Sequence, residues 1–335
     1  MIDILKTMNY EKDLQEYFLD KKILLFGGAG FIGSILAKEF VSIRSKVVIV
    51  DGFVKHTGAS VLNIQEIIEK IDLYKCKIDD LDCLPELVDD SDIIIDSMGF
   101  TSHNIGVKYP IVDTQINLIS HLKLIDALRK AQDKKIIYLG SRGQYGNIKE
   151  DVITENTPQN PIDPQGINKT ATESFFKFYV GKYGFNVLSL RITNCFGENQ
   201  KVTGDDIGLV GSLVNDILKG KTVEVYGSDK RKKNIIYVRD CVQIILKLIM
   251  TDFDGFEAYN VAGLEVSLKR LLNNIIGNVG RGDYIIKAFP ASVKNIDVGE
   301  AKFSDEKMRN KIGETEFCDI NDSLANTISY FEERL

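Results

Sequence analysis

The sequence is poor in proline and histidine and has no long apolar run. Its 335 residues include six prolines and three histidines, and no apolar stretch reaches the roughly 18 residues that a membrane-spanning helix needs. Few prolines and an apolar fraction of 44% argue against long disordered segments. The N-terminal stretch MIDILKTMNYEKDLQEYF is too acidic for a signal peptide. We therefore expect a folded, cytoplasmic protein with no membrane partner.

The cysteines and histidines give no metal signature. The five cysteines are odd in number and include no CxxC spacing, which suits a reducing compartment. The three histidines are scattered without the spacing of metal ligands. We predict no structural metal.

Positive charge is also scarce. The formal net charge of −6 argues against broad binding of nucleic acid, because a phosphate backbone needs a concentrated basic surface. The one basic run, DKRKKN at 229–234, is either a solvated loop or a contact for a phosphate group. The sequence alone does not separate these two interpretations.

Short apolar segments alternate with helical patterns in the first part of the chain, which predicts a parallel sheet covered on both faces. We expect an α/β fold with a doubly wound Rossmann sheet of six or seven strands. The predicted strands are 22–26, 46–50, 71–76, 92–96, 134–140 and 185–192, and the clearest helices are 31–43, 111–131 and 166–182.

After about residue 190 the elements become short and mixed, which indicates a smaller α/β lobe over the carboxyl ends of the strands. Ligands bind at that edge in open α/β sheets. The predicted organisation is a helical extension at 1–20, a Rossmann domain at 21–187 with about 231–262 added, and a substrate lobe at 188–230 and 263–335.

A glycine-rich turn follows the first strand. LLFGGAGFIGS places Gly27, Gly30 and Gly33 between a strand and a helix, where they allow a tight turn and close approach to a pyrophosphate. Asp51 ends the second strand, after the helix that follows this turn. A carboxylate there can accept hydrogen bonds from ribose hydroxyls and repels a 2′-phosphate, which favours NAD over NADP. The alternative is an ordinary turn with Asp51 as a helix cap.

Several stretches in the expected order resemble the extended short-chain dehydrogenase/reductase family, in particular its NAD-dependent sugar-nucleotide epimerases and dehydratases. The resemblance covers about residues 21–335. Besides the glycine turn, it rests on YPIVDTQINLISHLKLIDALR (109–129), YLGSRGQYG (138–146), GINKTATE (166–173), LRITNCFGENQ (190–200) and NIIYVRDC (234–241).

This resemblance implies a bound NAD that removes a hydride from the sugar of a nucleotide-diphosphate sugar, usually at C4. In the family a Tyr deprotonates the hydroxyl, a Lys four residues later lowers the pKa of that Tyr, and a Ser binds the reacting oxygen. The Ser corresponds to Ser141 and the Lys to Lys169, but the Tyr position holds Gln165. An amide can bind a hydroxyl but cannot accept its proton, so the acid/base machinery is expected to be atypical.

Three candidates for the missing group are present, and each has a simpler explanation. The YxxxK match of Tyr226 and Lys230 lies in a strand-to-loop segment of the second lobe and is interpreted as accidental. Tyr145 follows Ser141 in the same segment, but a packing role is favoured. His103 lies in the loop after the fourth strand and could titrate near neutral pH, but a surface position is favoured.

The resemblance also implies further contacts. Arg142 is a departure, because the family usually has a small residue there; we expect its guanidinium to point toward the substrate pocket, where it either recognises a carboxylate or phosphate on the sugar or pairs with an acidic helix residue. The predicted cofactor contacts are Gly27, Gly30, Phe31, Ile32, Gly33, Asp51, Gly52, Ile78, Met98 and Lys169, and the predicted substrate contacts are Thr101, His103, Arg142, Tyr145, Asn194, Arg231 and Lys233.

Three functions remain open on these grounds. The first is modification of a nucleotide-activated sugar, the second is a catalytically silent homologue that binds NAD or a nucleotide sugar, and the third is a single-step reductase or dehydrogenase. The family also commonly pairs through helices that correspond to 111–131 and 166–182. We therefore expect a homodimer with a four-helix interface.

Overall fold

The computed structural model describes residues 11–101, 103–130, 134–146, 148, 150–204, 207–288 and 302–335, without the side chains of 103 and 105. The strands, in chain order, are β1 (Lys22–Phe26), β2 (Lys46–Val50), β3 (Ile71–Tyr74), β4 (Ile93–Asp96), β5 (Lys135–Ser141), β6 (Val152–Ile153), β7 (Asn186–Ile192), β8 (Asn194–Phe196), β9 (Thr222–Tyr226), β10 (Lys232–Tyr237), β11 (Phe256–Val261), β12 (Leu264–Ser267), β13 (Asp283–Lys287) and β14 (Lys302–Phe303).

Helices cover the strands and fill the connections between them. They are α1 (11–18), α2 (Phe31–Ser42), α3 (Leu84–Asp89), α4 (His103–Lys108), α5 (Pro110–Thr114), α6 (Ser120–Ala127), α7 (Pro164–Tyr183), α8 (Leu209–Leu218), α9 (Val238–Met250), α10 (Leu268–Val279), α11 (Glu306–Ile312) and α12 (Ile320–Glu332). A run of 3₁₀ turns spans Val61–Lys70, and a π-helical turn spans Gln115–Ile119.

The central sheet has seven strands in the order β11-β7-β5-β4-β1-β2-β3. Every neighbouring pair in it is parallel. Ile23 and Leu25 of β1 belong to one apolar core, and Leu24 and Phe26 belong to another. Because successive side chains of a strand point to opposite faces, the sheet is buried on both sides. The predicted doubly wound α/β fold is confirmed.

Three small sheets lie beside the central one. Strand β8 begins directly after β7 and pairs with β10, which also pairs with β12. The other two are the pairs β13-β9 and β14-β6. The continuation of the chain from β7 into β8 brings residues of these small sheets to the carboxyl edge of the central sheet.

Several predicted elements differ in detail from the structure. The predicted helix 111–131 is interrupted by the π-helical turn, where the buried Asn117 side chain bonds both backbone groups of Phe100. Strand β11, which falls in the part of the chain where short mixed elements are predicted, joins the central sheet by pairing with β7. In the predicted N-terminal extension, α1 packs Leu14 and Phe18 into the core, and residues 1–10 lie outside the described chain.

Within the described ranges, no helix combines the length and apolarity required to cross a membrane. The same ranges contain no group of three or more His, Cys, Asp or Glu side chains placed to hold a metal ion.

Candidate active site

A cleft of 630 Å³ opens at the carboxyl ends of β1, β2, β4, β5 and β7. It extends from the glycine turn after β1 to the segment that follows β7. The predicted site residues that line it are Gly27, Gly30, Phe31, Ile32, Gly33, Asp51, Gly52, Ile78, Met98, Thr101, Ser141, Arg142, Gln165, Lys169 and Asn194. The structure thus brings together most of the residues singled out from the sequence.

The glycine turn is held so tightly that side chains do not fit. Gly27 has φ of +73°, and a Cβ atom on it would lie 2.9 Å from the carbonyl oxygen of Ser97. A Cβ on Gly33 would lie 2.3 Å from the carbonyl oxygen of Gly27. Such contacts are shorter than any real Cβ makes, so both positions require glycine.

Helix α2 begins at the glycine turn with its first N–H groups uncapped. Its N-cap residue is Gly30, which has no side chain to accept a hydrogen bond from the first turn. A helix N-terminus with free N–H groups and a positive dipole end is suited to a phosphate. The turn, the close packing and the uncapped helix together fit the pyrophosphate of a dinucleotide.

Asp51 is fixed beside this turn by two backbone donors. Its Oδ2 accepts from the N–H of Ala29 at 2.9 Å, and its Oδ1 accepts from the N–H of Phe53 at 2.8 Å. Burial raises the pKa of Asp51, and these two hydrogen bonds oppose that rise. Since each carboxylate oxygen can accept more than one hydrogen bond, Asp51 can still accept ribose hydroxyls.

Ser141, Gln165 and Lys169 lie at the other end of the cleft. Ser141 ends β5, and its Oγ accepts from the N–H of Gly143 at 3.1 Å. Helix α7 starts after Asp163, whose side chain caps it, and carries Gln165 and Lys169 one turn apart on one face. Gln165 is buried, and its Oε1 has no hydrogen-bond partner among the described residues.

Lys169 connects the ends of two strands. Its Nζ donates to the carbonyl oxygen of Met98 at 2.9 Å and to that of Leu139 at 3.0 Å. It also lies 4.8 Å from the centre of the Tyr138 ring. Burial lowers the pKa of Lys169 to about 8, although the negative charges of Asp96 and Asp113 oppose this.

One of these charges belongs to a buried pair that the sequence did not reveal. His121 Nδ1 lies 2.5 Å from Asp96 Oδ2, and both side chains are inaccessible to solvent. Burial lowers the pKa of His121 despite the attraction of Asp96. The aspartate itself begins the DSMG stretch, but its partner lies on a separate element, helix α6, so no local motif marks the pair.

A second buried network supports the loop after β5. Arg191 and Glu173 form an ion pair of 2.6 Å, and Glu173 also accepts from Gln144 at 3.0 Å. The Oε1 of Gln144 in turn accepts from the N–H of Ser141 at 2.8 Å. Burial alone would raise the pKa of Glu173, but the hydrogen bonds and charge of Arg191 hold it below its usual value. The ion pair therefore fixes the position of Ser141 indirectly.

Tyr145 belongs to this network and does not line the cleft. Its hydroxyl donates to Asn260 Oδ1 at 2.6 Å and accepts from Arg191 Nη1 at 2.8 Å. Burial raises the pKa of Tyr145 to about 12 in spite of the nearby Arg191. This position is what a packing role predicts for Tyr145, the alternative to its acting as the missing acid/base group.

In the part of the cleft next to Ser141, Arg142 and Asn194 contact each other. Arg142 Nε donates to Asn194 Oδ1 at 3.1 Å. Arg231 and Lys233, at the start of β10, are not among the lining residues of the cleft. Helix α4 begins at His103, whose side chain lies outside the described residues.

The cleft also includes residues that sequence reasoning missed. Gln200 and Gly208, on the segment between β8 and α8, line it. Gln200 ends the stretch 190–200 that supports the resemblance but was not predicted as a contact, and no motif marks Gly208, so only the fold places both residues at the site.

Residues 23–262 match the NAD dependent epimerase/dehydratase family. The chain belongs to this family. This confirms the resemblance drawn from the motifs, and with it an enzyme class that acts on nucleotide sugars and NAD as the family's cofactor.

Members of the family resemble this chain over most of its length. It is 30% identical over 233 residues to the UDP-glucose 4-epimerase of Lactobacillus helveticus, covering 67% of this chain and 68% of that protein. It is 25% identical over 316 residues to that of Mycolicibacterium smegmatis, covering 93% and 99%. The crystal structure of UDP-glucose 4-epimerase from Thermotoga maritima with UDP-glucose superposes with a TM-score of 0.81, at 25% identity over 93% and 99%.

Proposed function

We propose that this chain is an NAD-dependent epimerase that oxidises one hydroxyl of a nucleotide-diphosphate sugar, at C4, and re-forms it with inverted configuration. The observation that supports this most directly is the continuous cleft. It joins the glycine turn and Asp51 at the cofactor end to Ser141, Gln165 and Lys169 at the reaction end. When bound, NAD supplies a reversible hydride acceptor, and the residues of the chain must position the sugar and move a proton.

Lys169 is the proton acceptor in this proposal. Gln165 cannot accept a proton, and the hydroxyl of Tyr145 is committed to its hydrogen bonds outside the cleft. The cleft is also lined by Lys77, which follows β3, and by Lys201, which lies against Gly58. Lys169 lies one turn from Gln165 on α7 and Arg142 follows Ser141, and an arginine stays protonated.

The hydrogen bonds of Lys169 suit this role. A neutral amine has two N–H donors and one lone pair. The two donors suffice for the carbonyl oxygens of Met98 and Leu139, and the lone pair is left to take the proton of the sugar hydroxyl. A pKa of about 8 makes the neutral form available near physiological pH.

Ser141 holds the reacting hydroxyl in the proposal, and Gln165 accepts from a different hydroxyl of the same sugar. The Oγ of Ser141 accepts from the N–H of Gly143, so its own proton remains available for the sugar oxygen. The Oε1 of Gln165 is buried with no partner among the described residues. A buried acceptor without a donor is costly, and a substrate hydroxyl would satisfy it.

The distribution of carboxylates favours epimerisation over dehydration. Elimination of water from a keto sugar requires a base for a C–H proton and an acid for the departing hydroxyl. The carboxylates among the described lining residues, Asp51 and Asp79, flank the second and third strands, away from Ser141. The reaction end therefore lacks a carboxylate for this second step within the described chain.

Purified protein incubated with UDP-glucose, UDP-N-acetylglucosamine, dTDP-glucose and UDP-glucuronic acid tests the proposal. We expect conversion of at least one of them to its 4-epimer by chromatography, without net consumption of added NAD. A dehydrated keto product, or steady net formation of NADH, would contradict epimerisation. If neither product nor any change in bound NAD occurs, the catalytically silent alternative is supported.

The variant Gln165→Tyr distinguishes a site that uses another base from a site that has lost its catalytic tyrosine without a replacement. Because Lys169 serves as the base in our proposal, we expect turnover to fall or to change by less than about threefold. A gain of about 10²-fold or more would show that the chain has merely lost its tyrosine, since acid/base assistance has this magnitude.

We also propose a homodimer through α6 and α7. Phe175 and Phe178 are 37% and 64% exposed, and Ile119 is 36% exposed beside them. Phe175, Ile119 and Tyr179 line a surface groove of 610 Å³. Sedimentation at micromolar concentration should show a dimer, and Phe178→Glu should show a monomer. A wild-type monomer would contradict the proposal.

A further inference from the structure

Arg142 lines the cleft and carries a positive charge. Its Nε donates to Asn194 Oδ1 at 3.1 Å, and the guanidinium forms no ion pair with any residue in the described ranges. Burial lowers the pKa of Arg142, and the charge of Asp163 opposes this. The Oδ1 of Asp163 caps helix α7 by accepting from the N–H of Gly166 at 2.8 Å. The two Nη groups are therefore left to a ligand.

The support behind this arginine is rigid. Asn194 donates from Nδ2 to the carbonyl oxygen of Asn234 at 2.6 Å. Asn234 in turn forms two hydrogen bonds with the backbone of Gly263, at 3.0 and 2.9 Å. A guanidinium held at its Nε by such a chain presents its two Nη groups as a fixed fork, the arrangement that recognises a planar carboxylate with two hydrogen bonds.

The position of Arg142 places this fork near the sugar. The residue follows Ser141 directly, and Ser141 holds the reacting oxygen in the proposed function. The carboxylates that line the cleft within the described chain are Asp51 and Asp79, which follow β2 and β3 and not β5, where Arg142 lies. A desolvated cation without a partner is unfavourable, so a substrate that brings an anion to this point gains binding energy.

We propose that Arg142 is a carboxylate-recognition residue and that the preferred substrates are nucleotide-diphosphate sugars whose sugar is a uronic acid. The inference rests on the proposed function and narrows its substrate class. The diphosphate of any nucleotide sugar is the other source of anionic oxygens, because Asn194, which holds Arg142, is also a predicted substrate contact. An experiment must therefore separate the two anions.

The affinity of NAD-loaded protein is measured by calorimetry for UDP, UDP-glucose and UDP-glucuronic acid, and for the corresponding dTDP series. We expect the wild type to bind the uronic acid at least about tenfold more tightly than the neutral sugar, as charge-assisted hydrogen bonds provide. Arg142→Met should remove this preference, lowering the affinity for the uronic acid at least about tenfold more than the affinities for UDP-glucose and UDP. Arg142→Lys should retain part of it, because the charge remains but the fork is lost.

Arg270→Met serves as the matched control, since Arg270 is an exposed arginine on α10. It should leave all affinities unchanged. The melting temperature and NAD content of Arg142→Met show whether that variant is folded. If it is not, the preference of the wild type and the effect of Arg142→Lys decide the question.

The failures of the two proposals are distinguishable. A wild type that binds and epimerises neutral sugars but not uronic acids overturns the substrate assignment and leaves the proposed function standing. Equal loss of affinity for UDP and both sugars in Arg142→Met identifies a diphosphate contact and also overturns it. If NAD-loaded protein binds no nucleotide sugar, both proposals fail.

Discussion

At the cofactor end of the cleft the backbone fixes the geometry, whereas at the reaction end buried side chains do. Gly27 and Gly33 leave no room for a Cβ atom, and the first turn of α2 offers N–H groups without a side-chain cap. At the reaction end, Ser141 is positioned through the Glu173–Arg191 pair, and Lys169 bonds two strand ends. A change at the cofactor end should therefore mainly lower the affinity for NAD. A change at the reaction end should mainly alter the stability of the fold and the transfer of the proton.

The largest expected effect is at the glycine turn. In Gly33→Ala the new Cβ would lie 2.3 Å from the carbonyl oxygen of Gly27, so the turn must open. We expect NAD affinity to fall by at least about 10²-fold, because the opened turn withdraws backbone N–H groups from the pyrophosphate and each hydrogen bond to a charged group contributes about 1.5–3 kcal/mol. The NAD content of the purified protein and its affinity by calorimetry measure the loss.

Gly181→Ala is the matched control. Gly181 lies in α7, and a Cβ there would meet no atom within 4 Å. Since alanine is the better helix former, this variant should be stabilised by up to about 1 kcal/mol with unchanged NAD affinity. If Gly33→Ala and Gly181→Ala lost NAD affinity to a similar degree, the glycine turn would have no special role in binding NAD, which would contradict the prediction.

The next largest effect is at the ion pair that supports the reaction end. Glu173→Gln leaves the charge of Arg191 buried without a partner, which costs about 3–5 kcal/mol of unfolding free energy. The matched control is Glu265→Gln, because the Lys232–Glu265 pair has the same 2.6 Å separation but is largely exposed. An exposed pair contributes less than about 1 kcal/mol. Equal effects in urea unfolding would contradict the prediction.

The same ion pair should give the wild type a pH dependence. The folded-state pKa of Glu173 is lowered, since the hydrogen bonds and charge of Arg191 outweigh the opposing effect of burial. Its stabilisation is therefore present above the unfolded value of about 4.3 and is lost as pH falls through the folded value. The difference in unfolding free energy between wild type and Glu173→Gln should shrink below about pH 4.

Lys169 gives a prediction on catalysis. With a pKa of about 8 and a role as base, kcat/KM should rise with pH and level off above that value. Lys169→Arg keeps the positive charge but cannot act as a base, because an arginine stays protonated. The residual kcat/KM of this variant should therefore not rise with pH. A wild-type profile that levels off near pH 6.5, about the ordinary histidine value, would point to His103 instead and contradict the assignment.

The contrast between the two ends also explains what the sequence could predict. The glycine turn and Asp51 belong to one continuous strand–helix–strand segment, so a local pattern identifies them. The pairs Asp96–His121 and Glu173–Arg191 arise only when separate strands and helices meet. Gln165 was recognisable as a departure from the family, but the buried, unpartnered state of its Oε1 required the fold.

The smallest expected effect comes from Asp51, which carries negative charge at the cofactor end. Asp51→Asn removes that charge and replaces an acceptor with a donor facing the N–H of Ala29 or Phe53. We expect NAD affinity to fall by about tenfold and the preference for NAD over NADP to shrink, because repulsion of the 2′-phosphate is lost. Asp80→Asn, at an exposed carboxylate in the turn after β3, should change neither. If Asp51→Asn still discriminates fully against NADP, the backbone alone determines the selectivity for NAD. The contrast with the reaction end, where side chains fix the geometry, would then be complete.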